Sequence, residues 1–299
     1  MKFLLKTLFT LLMAITIIFF ALRMTPGDPV ERLLGPEAKQ EEIVKYRSEL
    51  GLDKTITHQY FDFVKGIFSL NLGKSFFNKE TVVELLGERM KPTLTLALIS
   101  ILISTPIGLI LGTIAAVNQG NLKDYGVRFG SLILLSFPIF SLAPLLVLVF
   151  AVKAGVLPVS EWTSLSHMVL PILTLVLPLS SVIIRVMRNK YLEEVSNLWV
   201  LVLQAKGLFN KAILLRIIKV CMPTILNVVA IQLSVVMAGT MITETIFDIP
   251  GVGSLLFEAI GNRDYPVVQG VIAYSTLVYM FVYFVIDFVN AKLDPRIEQ

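Results

Sequence analysis

Six stretches of this chain are apolar enough, for long enough, to cross a lipid bilayer, and that restricts the fold more than anything else in the sequence. A spanning helix needs about 20 apolar residues to match a hydrocarbon core of roughly 30 Å. Such stretches run near Thr7–Leu22, Leu94–Val117, Ser131–Val152, Met168–Val186, Thr224–Thr243 and Val267–Val289. Hydrophobic residues make up 55% of the chain and charged residues only 16%, where a soluble domain keeps about a quarter charged. The expectation is an all-α polytopic membrane protein with six transmembrane helices. The first stretch also invites reading as a cleaved signal peptide. Its apolar run is long for one, and no small-x-small cleavage site precedes Thr25-Pro26-Gly27, so residues 1–24 are taken as a retained anchor.

Charge sets the orientation. With the N-terminus inside, the cytoplasmic side collects thirteen lysines and arginines, while the short outer loops hold only Lys153 and Arg263. The long segment before Lys91 is exempt, because long loops translocate largely regardless of charge. Both termini are therefore placed on the cytoplasmic side of the membrane. The basic residues lie beside apolar runs and are not interleaved with aromatics, so membrane topology accounts for them better than nucleic acid.

Residues 25–91 read as an extracytoplasmic cap. Pro26-Gly27-Asp28-Pro29 breaks the chain as it leaves the membrane, Glu41–Leu50 reads as a helix stopped by Gly51, and Tyr60, Phe61, Val64, Ile67 and Phe68 form an apolar stripe at helical spacing suited to packing. Residues 92–290 form the core. Pro106, Gly108, Gly112, Pro138, Pro144, Pro171 and Pro178 punctuate its spans, and either close helix packing or bending along a pathway would explain them.

Several chemistries are excluded. A single cysteine, Cys221, rules out an internal disulfide and a cysteine-built metal cluster, and His58 and His167 show no ligand spacing, so no metal site is expected. Gly73-Lys74-Ser75 resembles the end of a phosphate-binding loop, but Phe68 stands where that motif needs its first glycine. No G-x-S-x-G elbow is present and neither histidine lies in a span, so there are no candidate catalytic residues. The chain is expected to bind no cofactor and to hydrolyse nothing.

The basic loop Arg188–Met222 stands out between two apolar spans. Leu192–Gln204 can run as a helix, Gly207 permits a sharp turn, and Lys211–Val220 can form a second helix before Pro223 starts the fifth span. On spacing alone this is either an elbow that transmits movement from a partner or an ordinary surface loop.

Arg185, Arg188, Leu192-Glu193, Val200 and Ala205-Lys206-Gly207-Leu208 resemble, in order and spacing, the ATPase-coupling loop of ABC importer permease subunits in the oligopeptide, dipeptide and nickel branch. LRMTPGDPVERLLG and LGLDKTITHQYFDFVKGIFSLNLGKSF near the start are similar to the same family, as are ITETIFDIPGVGSLLFEAIGNRDYPVVQG and LDPRI near the end. The resemblance covers nearly the whole chain. It implies a type I importer fold in which a second homologous permease subunit completes the pathway. Two cytoplasmic ATPases would use ATP to drive it, and an extracytoplasmic binding protein would deliver the substrate. It places ATPase coupling at Glu193, Trp199, Ala205, Lys206, Gly207 and Leu208. Leu201-Val202-Leu203-Gln204, Ile217 and Cys221 depart from the family's usual residues, and Trp199 stands where Tyr is common. Peptides are the expected cargo; nickel or a nickel chelate is the alternative within the branch. A standalone secondary transporter would call for inverted repeats with charges at mid-membrane, and an intramembrane enzyme for the missing catalytic groups.

Gln232, Ser234, Thr240, Thr243 and Glu244 are the polar positions expected to line the pathway, with interhelical hydrogen bonds as the competing role and an interfacial position favoured for Glu244. Asp287 is expected to pair with Lys292 or Arg185. Phe247–Gly270, which overlaps the outer segment 244–266, is too polar and broken to span and too apolar for a free loop. The resemblance implies that it belongs to the outer surface meeting the binding protein, with Phe247, Asp248, Arg263 and Asp264 as the contacts.

Overall fold

The computed structural model describes residues 2–35 and 37–293. Asp294–Ile297 of the terminal motif lie outside them. In chain order the helices are α1 (Lys2–Met24), α2 (Pro29–Leu34), α3 (Gln40–Glu49), α4 (Ile56–Phe68), α5 (Val82–Val117), α6 (Leu122–Ser136), α7 (Ile139–Leu146), α8 (Leu165–Val195), α9 (Leu198–Ala205), α10 (Asn210–Met237), α11 (Met241–Ile246), α12 (Val252–Asn262) and α13 (Tyr265–Leu293). Beyond α7 the chain continues as a π-helical segment, Val147–Lys153. Among the described residues four helices are long and apolar enough to cross a membrane: α5, α8, α10 and α13. α6 and α7 with its π-helical extension meet that length and hydropathy only as a bent pair, the shape of a broken span or of a re-entrant loop, and Leu8–Met24 of α1 is a shorter apolar helix.

The third expected span is therefore not one rod. The axis turns by 102° between Leu122–Ser136 and Ile139–Lys153. Pro138 explains it: a residue preceding proline is pushed out of the α region, and Phe137 sits at φ −84°, ψ 116°. Pro223 was expected to start a helix and instead lies inside α10, which runs unbroken from Asn210. Ile213, Ile217, Cys221 and Ile225 recur every fourth residue on both sides of that proline and are buried in one cluster. Their common packing outweighs the hydrogen bond that the proline removes.

The described residues fall into two compact units. One joins the chain up to Leu94 with Met237–Thr245 and Ile249–Met280. Residues 2–24, residues 25–91 and the segment after α10 thus fall in one unit and share a core. Val82, Leu85 and Leu86 of α5 pack there with Val252, Leu255 and Ala259 of α12 and Val267, Val268 and Val271 of α13. α4 lies along α1: Tyr60 hydrogen-bonds Thr16 at 2.7 Å, Phe63 stacks on Phe19, and Ile67 joins Leu11 and Ile15. Val64 is half-buried against the same cluster, while Phe61 and Phe68 stay exposed. Arg23 does not reach away from this packing. Its guanidinium lies 3.5 Å from the centre of the Phe19 ring and donates to Gln59 Oε1.

The other unit joins Thr95–Val236 and Ile246–Asp248 with the residues from Phe281 onward. Gly108 and Gly112 of α5 bring no side chain of their own to the contact with α8, where Ile183, Met187 and the Ser180 and Ile184 carbonyls close over them. A Cβ on Gly112 would lie 2.8 Å from both the Ile184 carbonyl oxygen and Met187 Cβ, and one on Gly108 would lie 2.5 Å from Ile183 Cβ. Small residues four apart let two membrane helices approach at backbone distance, so in α5 close packing is the reading the structure supports. Gly112→Val should destabilise the protein by about 1–3 kcal/mol through overpacking, read as a lower melting temperature of the purified chain. Gly130→Ala is the control, since its Cβ would meet nothing within 4 Å; an equal loss there would contradict the explanation. At the end of α13, Lys292 sits over the Phe288 ring at 4.5 Å, and among the described residues Asp287 makes no ion pair. The expected pairing of Asp287 is not formed.

Candidate functional site

The loop between the α8 and α10 spans is more structured than its sequence suggested. α8 carries on to Val195, where Ser196 and Asn197 break it, and α9 follows as a separate short helix. The single helix expected over Leu192–Gln204 is thus two. Asn197 has the extended backbone of an N-cap residue at φ −77°, ψ 147°, but its side chain turns back, the amide donating to Glu194 at 3.0 Å instead of capping α9. Lys190 bonds both Glu193 at 2.9 Å and Glu194 at 2.8 Å. The indole of Trp199 donates to Glu194 at 3.3 Å.

Gly207 closes α9. The Gly207 N–H donates to the Gln204 carbonyl at 2.9 Å and the Leu208 N–H to the Leu203 carbonyl at 3.2 Å. These are the two bonds of a Schellman cap, which needs a left-handed residue between them; Gly207 supplies it at φ 74°. Leu203 and Leu208, the apolar pair that accompanies such a cap, both pack against the cluster around Ile217. Glu193, Ala205, Lys206 and Gly207 are exposed, while Trp199 and Leu208 are half-buried.

Arg188, at the start of the basic loop, is turned inward onto an acid. Its Nε donates to Asp124 Oδ1 at 2.7 Å and its terminal nitrogen to Oδ2 at 2.8 Å, a two-pronged pair with Asp124 only 1% exposed. The Gly120 N–H adds a third bond to the carboxylate at 3.0 Å. The start of α6 is thereby fastened to the end of α8, close to the α9 loop. Asp124 was missed by sequence reading; its place in the first turn of a helix was the available signal.

The expected pathway residues divide between the units. Gln232 donates from α10 to the Leu179 carbonyl of α8 at 3.1 Å, and Ser234 bonds back to the Ala230 carbonyl at 2.8 Å. α10 ends at Met237, so Thr240 and Thr243 lie beyond the span in which they were placed. Gln232 Oε1, Thr240 Oγ1 and Thr243 Oγ1 are buried side-chain oxygens with no hydrogen-bond partner among the described residues.

Glu244 is fully enclosed, against the expectation that it faces water. Thr93 Oγ1 donates to its Oε1 and the Ser254 N–H to its Oε2, both at 2.9 Å, while the Val252 N–H donates to Thr93 Oγ1 at 2.9 Å. The carboxylate thus sits against the first N–H groups of α12, where a helix favours negative charge. Gly251 and Gly253 leave it room, since a Cβ on Gly251 would collide with the carboxylate.

Of the four expected binding-protein contacts, Phe247 and Asp264 are buried, Arg263 is half-buried and Asp248 is exposed. Asp264 accepts from Ser75 Oγ and from the Phe76 N–H at 3.2 Å. Burial pushes its carboxyl above the usual carboxylate range, and these hydrogen bonds pull it back. The serine of the rejected phosphate-loop match therefore has a structural job, tying the cap to the start of α13. Arg263 takes a left-handed backbone at φ 60°, and its guanidinium lies over Gly27, where any side chain would collide with it. Among the described residues no cluster of His, Cys, Asp and Glu is arranged to hold a metal.

The sequence matches the family described as binding-protein-dependent transport system inner membrane component over residues 108–299, and that family's N-terminal region over residues 1–97. It is 32% identical to a probable peptide ABC transporter permease protein, y4tP, of Sinorhizobium fredii, covering 98% of this chain and 97% of that one. It is 30% identical to the glutathione transport system permease protein GsiC of Escherichia coli K12, covering 96% and 94%. Its fold is similar to the inward-facing MetNI methionine ABC transporter, with a TM-score of 0.58 at 18% identity over 71% of this chain and 97% of that one. The chain belongs to the binding-protein-dependent transport system inner membrane components, as an ABC importer permease of the dipeptide and oligopeptide family.

Proposed function

We propose that this chain forms half of the translocation pathway of a peptide importer in a plasma membrane. A second homologous permease completes the pathway, two cytoplasmic ATPases work it, and an extracytoplasmic binding protein supplies the cargo. In this reading α1 and the bent α6–α7 pair join α5, α8, α10 and α13 to make six spans, with both termini cytoplasmic. Relatives named for peptide and glutathione transport support a peptide cargo.

The observation that carries the proposal is the capped end of α9. Leu198, Leu201 and Ala205 form one exposed edge of that helix, with Lys206 and Gly207 at its tip. Such an edge suits a groove on a soluble ATPase, and the α8–α9 junction, held by Glu193, Glu194 and Trp199, would pass the ATPase's movement to the spans. Gln232, Ser234, Thr240, Thr243 and Glu244 remain the proposed pathway set. The partnerless oxygens of Gln232, Thr240 and Thr243 are the members of that set with bonding capacity left for water or cargo. Asp248 and Arg263 are the proposed side-chain contacts for the binding protein, with Phe247 and Asp264 shaping the segment from within.

Gly207→Val tests the coupling. Nothing lies within 4 Å of a Cβ there, so its cost is the left-handed backbone alone, about 1–2 kcal/mol. Peptide uptake should fall at least tenfold and cargo-stimulated ATP hydrolysis should be lost, with the assembled complex still recovered in normal amount. Wild-type uptake and stimulation in that variant would overturn the assignment.

A further inference from the structure

On the other side of α9 from its exposed edge, a groove of about 520 Å³ runs between α9 and α10. Trp199, Val202 and Leu203 form one wall, and Arg216, Lys219 and Val220 form the other. The groove thus combines an apolar lining with two cations on one face of α10, three residues apart. Both cations are exposed, and among the described residues neither has an acidic partner. Glu193 and Glu194, the acids of the α8–α9 junction, are already engaged by Lys190.

The geometry points to an anionic phospholipid as the occupant, its headgroup phosphate held by Arg216 and Lys219 and an acyl chain laid between Trp199, Val202 and Val220. Charge complementarity selects it. A zwitterionic lipid would satisfy the apolar wall while bringing its own cation beside two others, and an apolar protein segment would leave both cations unpaired. The position agrees. α10 is a membrane-crossing helix and the groove lies along its first turns, the depth at which tryptophan and basic side chains meet headgroups. The groove is separate from the proposed ATPase edge; the ring of Trp199 lines it, while its indole N–H keeps the Glu194 bond at the α8–α9 junction.

The chain contains two tryptophans, so Trp162→Phe leaves Trp199 as its only reporter. The full chain carrying that change is placed in nanodiscs of the same composition in both leaflets, which makes the result independent of orientation. Quenching of Trp199 by brominated phosphatidylglycerol is then compared with quenching by brominated phosphatidylcholine at equal mole fraction. The glycerol lipid should quench at least twofold more strongly. Arg216→Ala with Lys219→Ala should abolish the difference, and Arg216→Lys with Lys219→Arg should keep it. Neutralising two exposed lysines away from the groove, Lys123→Ala with Lys211→Ala, should also keep it. Equal quenching by the two lipids overturns the proposal, as does loss of the preference in the Lys123 and Lys211 control, which would mark general attraction of anionic lipid to a basic face. Absence of quenching by either lipid overturns it too, because the groove would then be closed to the bilayer and suited to a protein. None of these readings uses transport, so they stand or fall apart from the peptide-importer assignment.

Discussion

Asp124→Ala should be among the most damaging single changes in the membrane core, lowering the melting temperature of the purified protein by roughly 6–20 °C. The carboxylate is 1% exposed and accepts both prongs of Arg188 together with the Gly120 N–H. Removing it leaves a guanidinium that is itself only 13% exposed with no partner for its charge. Breaking a buried pair from one side costs about 3–5 kcal/mol, and about 2–4 °C of melting temperature accompanies each kcal/mol in a chain of this size class. The mirror change, Arg188→Met, should cost a similar amount by stranding the carboxylate. The informative experiment is the combination. A buried ion pair replaced on both sides by apolar groups is commonly near neutral, so Asp124→Leu with Arg188→Met should recover most of the loss. A double variant whose loss equals the sum of the two singles would mean that the residues act independently and that the pair does not fasten α6 to α8.

That pair also marks where sequence reading stops. Apolar spans are legible because lipid demands about 20 apolar residues wherever the chain crosses, and α5, α8, α10 and α13 were found from that alone. Gly207 was legible as well, since a glycine after an apolar helical run is the chemistry of a C-cap. Prolines were ambiguous because their effect depends on the surroundings. Pro138 separates two helices, while Pro223 is absorbed by a helix whose buried isoleucines flank it. Polar residues were the least legible. Arg188 looks like a headgroup ligand until Asp124, 64 positions earlier, is seen beside it. Glu244 looks interfacial until Thr93, 151 positions away, closes over it. A single sequence shows the charge of such groups but not the distant partner that makes burial tolerable.

Glu244→Leu should show the largest effect in the segment after α10. The substitution removes the acceptor for Thr93 Oγ1 and for the Ser254 N–H, both in fully buried positions. Each stranded donor costs about 1–3 kcal/mol, and the favourable charge at the start of α12 goes with them. The variant should lose several kcal/mol, accumulate poorly, and expose the Phe247–Asn262 stretch to protease in its folded remainder. Glu244→Gln separates shape from charge. With its oxygen on the Ser254 N–H, its amide nitrogen can donate to Thr93 Oγ1, whose own hydrogen can turn to the Arg89 carbonyl at 3.4 Å. The network then keeps its donors satisfied without a net charge and leaves one amide hydrogen over. Gln should therefore keep more of the stability and the protease resistance than Leu, losing the roughly 0.3–1 kcal/mol typical of a charge at a helix end and about 1–3 kcal/mol for the spare donor. Uptake decides what Glu244 is for. If the carboxylate serves as an internal clamp for α12, uptake should follow stability, better kept in Gln than in Leu. A Gln variant that is stable and assembled but transports a changed range of peptides would instead place Glu244 in contact with the cargo, and the enclosed geometry would then have to open during transport.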